Sequence, residues 1–137
     1  MSASLHRSDQ RDGKIRVVPE ADDIVVLTLE GDFDLGNATT LGEQLDRVLE
    51  ANQDLILDLS EVTFIDSSVI NELFRAARVA KESGQTAVLQ LGTAPRVERI
   101  LEIVGIESVL PRADRRHEAI QLIESGGAKI ERGAATG

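Results

Sequence analysis

The chain has 137 residues, with 15 Lys and Arg against 24 Asp and Glu, a formal charge of −9. That length suits one domain, and its 42% hydrophobic and 28% charged residues supply a core and a solvated surface, which argues against wholesale disorder. The absence of cysteine excludes a disulfide scaffold, thiolate metal sites and a cysteine nucleophile, and suits a cytoplasmic protein. The acidic balance speaks against nucleic acid, which wants a basic face, and for a basic or neutral partner surface.

Residues 1–13 are polar and charged, with no apolar signal-peptide core, and read as a flexible tail. No apolar run approaches the ~20 residues a bilayer requires, so no membrane association is expected. Ile15–Val18 and Ile24–Leu29 are β-rich runs. Pro19-Glu20-Ala21-Asp22-Asp23 between them reads as a turn, and the pair as a hairpin, with Gly31 closing the second run. Leu41, Leu45, Val48 and Leu49 recur at helical spacing, with Asn37 or Thr39 placed to cap the helix.

Leu55–Leu59 forms a short strand, followed by Val62, Phe64 and Ile65. Asp66-Ser67-Ser68 then opens a long amphipathic helix with Val69, Ile70, Leu73, Phe74, Ala77 and Ala80 on one stripe and Gly84 at its C-terminal cap. Thr86–Leu91 is a buried type of strand. Pro95 starts a third helix that Gly105 ends. Ser108–Leu110 reads as a brief strand, and Asp114 as the cap of a last helix carrying Ala119, Ile120, Leu122 and Ile123. Residues 126–137, GGAKIERGAATG, read as a second flexible tail.

The order is β-β-α-β-α-β-α-β-α. It predicts an α/β fold over residues 14–125, a mixed sheet with an antiparallel opening hairpin followed by alternating helices and strands. In such sheets functional groups collect where strands end and helices begin. Three junctions qualify: Gly31–Asp34, Ile65–Ser68 and Gly92–Pro95. Parallel neighbours would put them on one edge, with acidic groups of the first near the hydroxyls of the second.

Ser67 and Ser68 have two readings. Capping is the plain one, since a hydroxyl at a helix start accepts from an orphan N–H. Phosphorylation is the functional one, because a helix N-terminus suits a phosphate and the added charge would change a docking surface. Asp34 and Asp66 as a catalytic acid–base pair find no supporting cradle. His6 and His117, the two histidines, have no motif linking them to Ser67, and Gly-x-Ser-x-Gly is absent, so a serine hydrolase is not expected. No carboxylate spacing implies a metal, and no glycine-rich loop implies a nucleotide cofactor. Arg96 and Arg99 beside Glu98 and Glu102 read as an exposed salt-bridged face.

Three segments together resemble the STAS domain family, particularly bacterial anti-sigma factor antagonists. Leu29-Glu30-Gly31-Asp32-Phe33-Asp34 is similar to the family's Gly-Glu-hydrophobic-Asp segment. Leu55–Leu59 with Val62-Thr63-Phe64-Ile65-Asp66-Ser67-Ser68 is similar to its strand leading into Asp-Ser-Ser-Gly. Arg96–Ile106 resembles its helix ending in a hydrophobic-Gly-hydrophobic step. The likeness covers about Lys14 to Ser125. Where the family usually has Gly after the two hydroxyl residues, this chain has Val69.

The resemblance implies a non-enzymatic regulator that binds an anti-sigma factor, itself a serine kinase, and so frees a sigma factor. A phosphatase reverses the kinase. Carried over, the phosphorylated residue is Ser67, with Ser68 a secondary site. Asp34, Asp66, Ser67, Ser68 and Val69 border the partner surface, and a monomer or weak dimer is expected. The other expectation is a STAS scaffold subunit of a stress-signalling or lipid-transport complex without a phosphoswitch.

Overall fold

The computed structural model describes residues 13–125, Thr93 excepted. The tails expected at 1–13 and 126–137 therefore lie outside the described residues, apart from Gly13. β1 (Lys14–Ala21) runs antiparallel to β2 (Ile24–Phe33). Then come α1 (Leu35–Glu50), β3 (Asp54–Ile65), α2 (Ser67–Ser83), β4 (Ala87–Gln90), α3 (Pro95–Val104), a 3-10 turn at Ile106–Ser108, β5 (Arg112–Ala113) and a last helix, α4, over 116–125. The strands form one five-stranded sheet in the order β1-β2-β3-β4-β5, parallel from β2 onward. The expected order of elements and the mixed sheet with its opening hairpin are both present.

The two faces of the sheet explain the apolar runs. Alternate side chains of a strand point to opposite faces, so a strand covered on both sides needs an unbroken apolar run. Val25, Leu27 and Leu29 of β2, with Leu55, Leu57 and Leu59 of β3, join the large core with Leu41 and Leu45 of α1, Leu73 of α2 and Leu101 of α3. Ile24, Val26, Ile56 and Val88 point the other way, where Ala119 and Ile123 of α4 cover them. A polar tie holds α4 in place. Arg116 donates from Nε to Gln90 Oε1 (2.7 Å), from one terminal nitrogen to Glu20 (3.1 Å) and from the other to the buried Asp58 (3.0 Å).

The structure corrects several local expectations. The hairpin turn is only Asp22–Asp23, and Pro19–Ala21 belong to β1. β1 is an edge strand and its register slips between Pro19 and Ala21, and an edge with a bulge tolerates a missing N–H. Gly31 does not end β2. Its φ of 91° lies in the left-handed region, beside a register shift, and the strand continues to Phe33. The strand expected at Ser108–Leu110 is instead a helical turn. Ile106 and Leu110 are buried while Val109 is exposed, and Leu110 N–H donates to Ile106 O (2.9 Å). That spacing is helical, not alternating. α1 is capped by Asp34, not Asn37 or Thr39. Nor does Asp114 cap α4: Glu118 reaches back to accept from the Arg115 and Asp114 N–H groups (3.1 and 3.3 Å), while the Asp114 carboxylate takes Arg112. The salt-bridged face of α3 also differs, since Glu98 and Glu102 both turn to Arg112 of β5 and away from Arg96 and Arg99.

Helices α1 and α2 lie side by side in close contact. Gly42 of α1 leaves room for the Glu72 carboxylate, since a Cβ there would stand 2.6 Å from Glu72 Oε1 and displace that side chain. Arg75 of α2 clamps the pair, donating to Asp46 (2.8 Å) and to the Gly42 carbonyl (3.3 Å) of α1, and to its own neighbour Glu72.

Candidate functional site

Two strand-to-helix junctions meet at the edge where β2 and β3 end. Their register is parallel with Asp32 opposite Phe64 and Phe33 opposite Ile65, so the residues that follow, Asp34 and Asp66, arrive together. Each aspartate is the N-cap of its helix. An aspartate caps well because its carboxylate accepts from orphan N–H groups and its charge faces the positive end of the helix dipole. Asp34 accepts from Gly36 N–H (2.9 Å), and Asn37 Oδ1 accepts in return from Asp34 N–H (2.8 Å), a reciprocal capping box.

Asp66 does more. Its Oδ1 accepts from Ser68 N–H (3.0 Å), Val69 N–H (3.2 Å) and the Ser68 hydroxyl (2.5 Å). Its Oδ2 accepts from Leu35 N–H of the other helix (3.1 Å), while Asp66 N–H donates to Phe33 O (3.2 Å). One carboxylate thus caps α2 and ties in the first residue of α1. The Ser68 hydroxyl foremost, with the Val69, Ser68 and Leu35 N–H groups, holds the Asp66 carboxyl below its ordinary 3.8, against an opposing push from burial that outweighs any single N–H.

The two serines differ. Ser68 is half-buried and its hydroxyl is committed to Asp66. Ser67, the first residue of α2, is exposed, and its hydroxyl takes part in none of these bonds. It neither caps the helix nor meets a base. Asp34 is exposed beside it. Val69 is placed differently from these four: its side chain is 1% exposed and packs in the large core. The β-branched residue that stands in the usual glycine position therefore points inward, and Ser67 is exposed.

Sequence reasoning passed over three features of this edge. Thr63, the extra residue of β3 at the bulge, donates its hydroxyl to Asp32 Oδ1 (2.5 Å) and closes the two strand ends together. Leu35 and Phe64 are 76% and 48% exposed, the first following Asp34 and tied to Asp66, the second in register with Asp32. The signal available for them was an apolar residue flanking each Asp at positions where the alternation has no core left to face. The third junction lies farther along. Gly92 abuts Ser60 of β3, with 2.8 Å from a built Cβ to Ser60 Cβ, and Thr93 is outside the described residues. Its Ala94 and Pro95, with Arg96, line a groove with Val62 and Thr63 of β3, and Thr63 connects that groove to Asp32.

Chemically the arrangement offers one free hydroxyl at a helix N-terminus, surrounded by carboxylates already occupied as caps. With both carboxylates tied to backbone donors, the pair is not arranged as an acid and a base. Among the described residues no group of His, Asp or Glu is arranged to hold a metal, and no helix is long and apolar enough to cross a membrane.

The STAS domain profile matches residues 16–119, and the chain belongs to the STAS domain family. Among solved structures, an anti-sigma factor antagonist from Mycobacterium paratuberculosis is similar at a TM-score of 0.69 and 23% identity, over 83% of this chain and 96% of that one. SpoIIAA, a Bacillus cell fate determinant and anti-sigma factor antagonist, is similar in its unphosphorylated form (TM-score 0.70, 17% identity, 82% of this chain and 97% of that one) and in its phosphorylated form (0.63, 16%, 79% and 97%). A sulfate transporter family protein from Wolinella succinogenes is similar at 0.65 and 23% identity, over 81% and 91% of the two chains. At these identities the likeness is one of fold.

Proposed function

We propose that this STAS domain is an anti-sigma factor antagonist. It docks its Asp34–Asp66 edge on an anti-sigma factor that is also a serine kinase, releases a sigma factor, and is switched off by phosphate on Ser67. The observation that carries the reading is the division of labour at Asp66-Ser67-Ser68. Ser68 is held by Asp66, while Ser67 alone presents an unbonded, exposed hydroxyl at the N-terminus of a helix. Phosphate there adds roughly −1.5 to −2 charge at pH 7 among three carboxylates, Asp32, Asp34 and Asp66, without any need to refold the domain. The fold shared with two antagonists, one of which exists in a phosphorylated form, supports the reading. A cytoplasmic, non-enzymatic regulator of transcription reset by a phosphatase follows from it.

The test is phosphate mapping. The chain is incubated with ATP in an extract of its own cells and digested, and the peptides are weighed. Phosphate on Ser67, absent from Ser67→Ala, is expected; phosphate only outside Asp66–Ser68 rejects the switch. With the partner in hand, Ser67→Asp should bind at least tenfold more weakly than Ser67→Ala. A second reading, a scaffold module without a switch, draws on the same fold in the sulfate transporter family protein. Light scattering that finds a large homo-assembly, together with no phosphate uptake, supports that alternative.

A further inference from the structure

We infer that Leu35 and Phe64 are the apolar anchors of the Ser67 edge, and that the partner receives them in two apolar sockets set within a cationic surface. The inference rests on the reading of Ser67 given above and adds which side chains supply affinity and what chemistry must face them.

Leu35 is the most exposed large hydrophobic residue described, at 76%, yet its backbone is fixed: its N–H donates to Asp66 Oδ2 and the next residue is held by the Asp34 cap. Phe64 is one of only three aromatic residues in the chain. Phe33 is fully buried and Phe74 packs against the core, whereas Phe64 stands 48% exposed at the end of β3, beside Asp32 in register and two residues from Asp66. Single exposed apolar residues need no explanation. Two on hydrogen-bonded backbone, one tied to Asp66 and the other paired in register with Asp32, have the form of interface anchors, because aromatic and large apolar side chains held in place before binding lose little entropy on docking.

Charge decides the partner's chemistry. Nine of the described carboxylates, among them Glu30, Asp46, Asp58, Glu72 and Glu98, pair with an arginine of the chain itself. Asp32, Asp34 and Asp66 are in none of those ion pairs. Leu35 and Phe64 thus stand near three carboxylates that pair with none of the described cations, and the complementary surface carries Lys or Arg around its sockets. Ile103, 75% exposed at the far end of α3, lies beside glutamates that Arg112 partly neutralises, and serves as the control position.

The experiment uses the full chain with Leu35→Ser, Phe64→Ser and Ile103→Ser, each checked for an unchanged melting curve. Phosphate uptake at Ser67 is timed in cell extract with ATP, at chain concentrations well below saturation. Leu35→Ser and Phe64→Ser should each slow uptake at least tenfold, Ile103→Ser should match wild type, and wild-type uptake should slow as salt rises from 50 to 300 mM. Uptake by both anchor variants at the wild-type rate overturns the inference. In parallel, a photo-crosslinker is placed at position 35, 64 or 103. Adducts at 35 and 64 that excess wild-type chain abolishes, and excess Leu35→Ser/Phe64→Ser does not, sustain the anchors even where Ser67 takes no phosphate, in which case only the switch falls. Absence of adducts at 35 and 64 overturns the anchors whatever Ser67 does.

Discussion

Asp66 concentrates several tasks in one side chain, and its replacements separate them. Asp66→Ala removes the acceptors for Ser68, Val69 and Leu35, and should cost about 0.5–2 kcal/mol by urea unfolding, the range for a lost N-cap. Asp66→Asn can still cap α2 through one oxygen but loses the charge and the second acceptor, so the tie to Leu35 goes. Because the carboxyl is held below 3.8 in the folded chain, its contribution is complete above that value. It is lost as pH falls through the lower folded value. The stability gap between wild type and Asp66→Asn should therefore be constant from pH 5 to 7 and close below about pH 4; a gap that widens in acid contradicts the assignment. At the neighbouring position, Val69→Gly should cost about 2–4 kcal/mol, for the lost core volume and the added backbone freedom. It should leave phosphate uptake at Ser67 unchanged, since Val69 turns inward.

Among the elements, α4 differs from the other helices. Among the described residues it is the helix that covers the second face of the sheet, and Arg116 carries its polar attachment to Asp58, Gln90 and Glu20. Arg116→Met should cost about 1–3 kcal/mol, because the buried Asp58 loses a charged donor while Arg116 itself is one-third exposed and partly screened. Hydrogen exchange should show the amides of α4 accelerating more than those of α1 and α2. This tie was invisible in the sequence, since Arg116 and Asp58 are 58 residues apart and no local pattern joins them. The helices and long strands were legible because their periodicity is local: Leu41 to Leu49, Val69 to Ala80, Ile24 to Leu29. What failed was decided by which of several neighbouring residues makes one local bond. Asp34 outcompeted Asn37 as cap, Glu118 took the role expected of Asp114, and Ile106 paired with Leu110 across a turn that looked like a strand.

Across the whole molecule, the sequence brought Asp34, Asp66 and Ser67 to one edge because parallel register follows from β-α-β order. Capping chemistry alone did not separate Ser67 from Ser68, and only the family resemblance ranked Ser67 first; the structure adds that the Ser68 hydroxyl is committed to Asp66. The apolar stripe of α2 already placed Val69 toward the core, where its side chain lies, and it was the residue-by-residue carry-over from the family that set it on the partner surface. With a net charge of −9, association with a cationic partner should be steered at long range, so its on-rate should fall several-fold as salt rises from 50 to 300 mM while the off-rate changes little. Stopped-flow mixing of the purified pair checks this.

The Arg75 clamp, with Asp66 spanning both helix starts, makes α1 and α2 a single plate. A partner that presses on one helix must move its neighbour as well. Recognition is then the seating of a finished stencil, and the heat-capacity change on complex formation should match the apolar area covered, with no surplus from ordering. An insertion that loosened the plate would leave every contact residue in place and still blunt the fit.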